Sequence, residues 1–127
     1  MHADSQLKGE TDLSGCVIGA AYRVANALGT GFLEKVYENA LAIELRLAGH
    51  EVRQQYPVEV RYRKQIVGIY QADLLVDGRV VVELKAVDAL SSSHRAQCIN
   101  YLRATGLRTG LLINFGHPRI VIRRILA

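Results

Sequence analysis

From Leu13 the apolar residues recur at spacings of three and four, through Val17, Ala20, Ala21, Val24 and Leu28. That spacing predicts a helix with one buried stripe, and Asp12 stands where a capping residue would. Residues 1–11 carry no pattern and read as a flexible N-terminal tail. Gly29 and Gly31 stop the first helix. A second helix is predicted over 32–48, with Leu33, Val36, Tyr37, Ala40, Leu41, Leu45 and Ala48 on its apolar face and Gly49 beyond its end. After Glu51 the period shortens to two. VRQQYPVEVRYR alternates as a half-exposed strand does, and Pro57 suits an edge strand or a bulge. A turn near Arg63–Lys64–Gln65 leads into IVGIYQADLLV, and Asp77–Gly78 is a strong hairpin signal before VVVELKAV. Ser91–Ser93 open a third helix, about 92–105, whose weak stripe holds Ala96, Ile99, Leu102 and Cys98, and Gly106 ends it. RTGLLINFG and RIVIRRILA supply two further strands around a Gly116–His117–Pro118 turn. The order is α-α-β-β-β-α-β-β, an α/β or α+β sheet with helices packed on it.

Composition narrows this picture. The 127 residues are 50% hydrophobic and 22% charged, which suits one domain over 12–127 and argues against disorder. Two cysteines make no disulfide scaffold, and no apolar run approaches the ~18 residues of a membrane span. The N-terminus has no signal-like apolar region, so a cytoplasmic location is expected. The net charge of +4 hides an asymmetry: residues 1–50 carry four basic and six acidic groups, residues 51–127 twelve and six. Arg103, Arg108, Arg119, Arg123 and Arg124 crowd the last 25 residues with no acid among them. Arginine forks suit phosphate, although from charge alone an ordinary solvated basic face is the better reading.

The strand VVVELKAV contains an anomaly. Glu83 and Lys85 interrupt an apolar run, and residues two apart share a face of a strand. An isolated Glu-x-Lys more readily forms a surface ion pair than a site. Asp73, on the preceding strand, is a second anomaly because aspartate is a poor strand former. A two-residue turn at 77–78 would set Asp73 opposite Val82 and on the other face from Glu83. The two acids converge only if the loop is longer or a bulge shifts the register. Two carboxylates and a lysine together could hold Mg²⁺, which keeps places for water and a phosphate, with the lysine orienting the water.

Asp73 followed by Glu83-Leu84-Lys85 resembles the D…(D/E)xK signature of the PD-(D/E)XK nuclease superfamily, with Ala72 in place of the usual proline. Gly31-Phe32-Leu33-Glu34-Lys35-Val36-Tyr37 resembles the GxxExxY motif of a small bacterial family within it. The likeness runs from about Leu13 to Ile125 and includes INYLRATGLRTGLLINFG. The resemblance implies a restriction-endonuclease-like core, a central mixed sheet flanked by helices. It implies Mg²⁺, with Mn²⁺ as the alternative, held by Asp73, Glu83, the backbone carbonyl of Leu84 and Glu34. It makes Lys85 the residue that positions the attacking water. Gln97 and Tyr101, four apart on one helix face, match a QxxxY motif in which the glutamine orients the site and the tyrosine lies near nucleic acid. Glu34 alone would read as a solvated first-turn acid favoured by the helix dipole. Tyr37 is expected to pack, and His94 lies near enough to Gln97 to contact phosphate.

The implied activity is hydrolysis of nucleic-acid phosphodiester bonds, with DNA the expected nucleic acid and RNA left open. The competing reading is a catalytically silent nuclease-like domain that binds nucleic acid or a protein. A core of this size leaves target choice to a homodimer, a partner protein or the basic C-terminal region, with no membrane involved. Gly29-Thr30-Gly31 lacks a phosphate-loop lysine. His2, His50, His94 and His117 lack metal-ligand spacing, and Cys16 and Cys98 read as small apolar groups.

Overall fold

The computed structural model describes the backbone of residues 3–127 and the side chains from Gly9 onward. Its elements run α1 (Ala3–Leu28), α2 (Glu34–Leu47), β1 (Val52–Tyr62), β2 (Gln65–Val76), β3 (Val80–Lys85), α3 (Ser92–Thr105), β4 (Thr109–Asn114) and β5 (Val121–Leu126). The order expected from the sequence holds. The strands form one five-stranded mixed sheet, β1-β2-β3-β4-β5, consistent with a restriction-endonuclease-like α+β fold. β1–β2, β2–β3 and β4–β5 are antiparallel, while β3–β4 is parallel because α3 carries the chain across the sheet between them. Pro57 lies in β1, an edge strand, where its missing N–H is tolerated.

One core lies between the sheet and α1–α2. It joins Val17, Ala21 and Val24 of α1 with Tyr37, Leu41 and Leu45 of α2, against Val82, Leu84, Leu111 and Ile113. The other lies under α3, where Cys98, Tyr101 and Leu102 meet Val81, Leu112 and Ile125. Even residues of β3 therefore face α1–α2 and odd ones face α3, which puts Glu83 and Lys85 on the α3 side. β1 and β2 break this parity. Val52, Leu74 and Val76 pack toward α1–α2, yet Val58 and Ala72, of the same parity, pack toward α3. The switch falls at Gln55, whose φ of 52° interrupts the pleat opposite Asp73.

Three expectations are corrected. The first helix starts at Ala3 rather than after Asp12, so residues 3–11 of the expected tail are helical, and Met1 and His2 lie outside the described residues. The helix is anchored there from a distance: Glu10 Oε2 accepts from Thr109 Oγ1 of β4 at 2.7 Å. On α2 the buried face is Tyr37, Glu38, Leu41, Ala42 and Leu45, whereas Leu33 is 80% exposed. On α3 the buried set is Cys98, Tyr101 and Leu102, and Ala96 is exposed. In both helices the sequence offers more than one apolar stripe, and the sheet selects one.

The ends of the elements follow local chemistry. Gly49 (φ 93°) and His50 close α2 with hydrogen bonds from Gly49 N to Arg46 O and from His50 N to Leu45 O, a Schellman cap. Ser91 caps α3 by accepting from His94 N, and His94 Nδ1 accepts from Ser91 N. That capping box commits one ring nitrogen of His94, the residue expected near phosphate.

Candidate active site at the β2–β3 fork

The loop between β2 and β3 has three residues, Asp77, Gly78 and Arg79, because Val76 pairs with Val80. Asp77 and Gly78 both have positive φ, and Arg79 N donates to Val76 O. Asp77 also ties the loop to the start of β1: its Oδ1 accepts from Glu51 N, and its Oδ2 meets His50 Nδ1 at 2.8 Å. The extra residue shifts the expected register by one. Leu74 faces Val82, so the next position sets Asp73 opposite Glu83 on one face.

At that position the backbone ladder gives way to side chains. Glu83 Oε1 accepts from Asp73 N at 3.0 Å, and Asp73 Oδ2 accepts from Leu84 N at 2.8 Å. Each carboxylate thus takes a donor from the other strand, and the strands separate where the acids sit. The two carboxyl groups are close enough for each charge to oppose ionisation of the other. Burial pushes the Glu83 carboxyl up to about 8, and the neighbouring Asp73 charge adds to the effect. Asp73 is also raised, chiefly by burial, against the lowering effect of the Leu84 N–H; the Glu38 charge raises it further. Lys85, half-buried beyond Glu83, favours the ionised form of both acids. Two desolvated acids side by side are costly to ionise together, and positive charge beside them lowers that cost.

The helical acid that reaches this group is Glu38, which the sequence reading missed. Glu38 is 3% exposed. Its Oε1 accepts from Gln55 Nε2 at 2.7 Å, and that same nitrogen lies 3.3 Å from Asp73 Oδ1. Its Oε2 accepts from Gln54 Nε2 and Lys35 Nζ. Glu34 is exposed in the first turn of α2 and makes no hydrogen bond or ion pair among the described residues. The available signal was spacing: Glu38 is one turn past Glu34 and directly follows the buried Tyr37. Gln55 gave no sequence signal, because its role depends on a left-handed conformation within a strand.

Tyr37 packs as expected. Its ring stacks on Phe115 at 4.7 Å, and its hydroxyl donates to Gly29 O at 2.6 Å, fixing the Gly29–Gly31 loop. Across the site, Gln97 and Tyr101 share a cavity of about 270 Å³ with Tyr70 and Ser93. Tyr101 packs on the Tyr70 ring at 5.9 Å. Burial, with the charges of Glu83 and Asp73, pushes its hydroxyl up to about 12, so it stays neutral. Cys98 is likewise held up to about 12, by burial first and then by Glu83. The structure therefore gathers Asp73, Glu83, Leu84 and Lys85 and sets Tyr101 near the two acids, with Gln97 beside Tyr101 in its cavity.

Among the described residues no three His, Cys, Asp or Glu side chains form a metal-holding group. The donor set is two hard carboxylates that already draw in backbone N–H groups. That chemistry fits a hard divalent cation that keeps several waters, and it does not fit a fully protein-ligated ion.

A family model described as the PD-(D/E)XK nuclease superfamily matches residues 11–125. No curated protein matches the sequence significantly. Among solved structures, the crystal structure of SSO0001 is similar, with a TM-score of 0.50 at 20% sequence identity. The match covers 96% of this chain and 62% of that one, so the chain spans about six-tenths of its length. At that identity the likeness concerns the fold.

Proposed function

Since the chain belongs to the PD-(D/E)XK nuclease superfamily, we propose that it is a Mg²⁺-dependent nuclease that hydrolyses phosphodiester bonds in DNA. The observation carrying this reading is the crossed Asp73–Glu83 pair with Lys85 on the same strand face. In this reading Asp73, Glu83 and the Leu84 carbonyl hold the cation, with Mn²⁺ as a substitute. The cation, when bound, neutralises charge on the phosphate and leaving oxygen. Lys85 donates to the attacking water and orients it toward phosphorus. Glu38 acts through Gln55, keeping the Asp73 carboxylate turned toward Glu83. Gln97 and neutral Tyr101 line the side of the site from which a nucleic acid would approach. The Gly31–Tyr37 segment supports placement in the GxxExxY group, although the helical acid linked to Asp73 is Glu38 and not the exposed Glu34. Target choice comes from a second subunit, a partner protein or the arginine-bearing surface.

The test is divalent-cation-dependent cleavage of single-stranded, duplex and branched DNA and of RNA. Asp73→Ala and Lys85→Ala should each lower the rate by about 100-fold or more, the scale of a lost acid–base or positioning group. Cleavage untouched by both substitutions, or no cleavage of any substrate, would sink the proposal. Metal-independent binding without cleavage would instead favour the silent binding module.

A further inference from the structure

A second cavity, of about 430 Å³, opens on the other flank of α3, between that helix, the ends of β4 and β5 and the 86–91 connection. Leu112 lies at its floor, and Arg95 and Arg123 stand on its walls. Arg95 makes no side-chain hydrogen bond or ion pair among the described residues, and Arg123 reaches only the carbonyl of its neighbour Ile122. Among the described residues, neither guanidinium therefore has a carboxylate partner. Asp88 also borders the cavity; with it, the two arginines leave an excess of positive charge. The walls are held in place. Asn114, 1% exposed, accepts from Val87 N and Gly116 N and donates to Val87 O, while the His117 ring bonds the Asp88 carbonyl.

The cavity is also in register with the acids. Glu83 pairs with Leu112, and Leu112 pairs with Arg123, so the three side chains share one row across β3, β4 and β5. Two strand spacings separate Glu83 from Arg123, about 10 Å. Leu112, 1% exposed beneath α3, lies between them, so a strand that meets both the acids and the cavity passes around the helix; with a phosphate for about every 3.4 Å of duplex axis, that path takes several nucleotides.

We propose that this cavity binds one phosphate group of a nucleic acid, gripped by the guanidinium forks of Arg95 and Arg123. The inference rests on the nuclease reading for its ligand class and adds a place where the substrate is held away from the cut. Arginine is suited to the role because its planar fork pairs two oxygens of one phosphate. The phosphate is either an internal phosphodiester or a terminal monoester, which share the oxygens the forks engage.

The test is binding without cleavage. Fluorescence anisotropy of a labelled single-stranded DNA oligonucleotide is measured in EDTA across a salt series. The proteins are the full chain, Arg95→Ala, Arg123→Ala, the double variant, and Arg23→Ala as control. Arg23 is ion-paired with Glu44 on the α1–α2 side. The double variant should bind several-fold more weakly, with a log–log salt slope shallower by about 0.7, the value for one phosphate on a single strand. Arg23→Ala should match the unaltered chain. Equal losses with 5′-phosphorylated, 5′-hydroxyl and circular DNA identify an internal phosphate; a loss confined to the 5′-phosphorylated strand identifies a terminal one. An unchanged slope in the double variant, an equal loss in Arg23→Ala, or no binding by the unaltered chain overturns the proposal. Binding that depends on both arginines in a protein that cuts nothing leaves the cavity assigned and removes the nuclease. Cleavage with unchanged binding in the double variant does the reverse.

Discussion

Glu83 is 4% exposed and sits against a second carboxyl, so its ionisation is expensive in the folded state. Its folded value of about 8 lies above the ordinary 4.5, so the folded protein retains a proton that the unfolded chain releases. The sign follows: its contribution to stability is fully present below about pH 4.5 and is lost as pH rises through about 8. Thermal melts of metal-free protein should show the midpoint falling across this window, and Glu83→Gln should flatten the fall. A Gln variant with the same slope as the parent would show that Glu83 does not govern it. The same scale separates two glutamates. Glu38→Gln should reduce cleavage more than Glu34→Gln, because only Glu38 is linked through Gln55 to Asp73. Comparable rates for the two variants would return Glu34 to consideration.

At the scale of elements, the register of the β2–β3 hairpin decides whether a site exists. Asp73, Glu83 and Lys85 were legible as unusual residues in strands. Their convergence was not, because it depends on Arg79 joining the turn, and one residue moves a side chain to the opposite face. The helices show a similar limit. α2 carries a second apolar row, Leu33, Val36, Ala40, Ile43 and Leu47, which competes with the buried one, and periodicity cannot rank two stripes on one helix. The connection after Lys85 depends on a close approach that sequence spacing does not show. A Cβ on Gly116 would lie 2.2 Å from the Val87 carbonyl oxygen, and Phe115 N donates to Lys85 O beside it. Gly116→Ala should therefore destabilise the fold by about 1–3 kcal/mol, read by urea denaturation, as overpacking against backbone does. An unchanged denaturation midpoint would mean that the connection moves freely.

For the molecule as a whole, the expected link is between cation and stability. A ligand that binds only the folded state stabilises it by about 2.7 kcal/mol at a hundredfold excess over Kd. Mg²⁺ should raise the melting temperature above pH 8, where Glu83 is ionised, and should do so less at pH 6, where Glu83 holds its proton. Asp73→Asn should lose the increment; if it keeps it, the cation binds elsewhere. No described helix is long and apolar enough to cross a membrane. The basic excess of residues 51–127 is spread by the fold: Arg123 faces the α3 side, while Arg124, beside it in β5, pairs with Leu111 on the other face. Arg95 and Arg123 share a cavity, and Arg123 stands on the same row as Glu83.

By itself the sequence determined the element order, the α1 stripe, where the hairpin turns fall and the identity of the acids and lysine, because these depend on contacts within a few residues or on a strand's two-residue period; the length of the 77–79 turn was not among them. The tertiary structure decided the rest: the face of α2 that is buried, the acid on α2 that approaches Asp73, and the meeting of Asp73 with Glu83. Those outcomes depend on register and on which distant surface packs against each element, and a periodic pattern leaves both open.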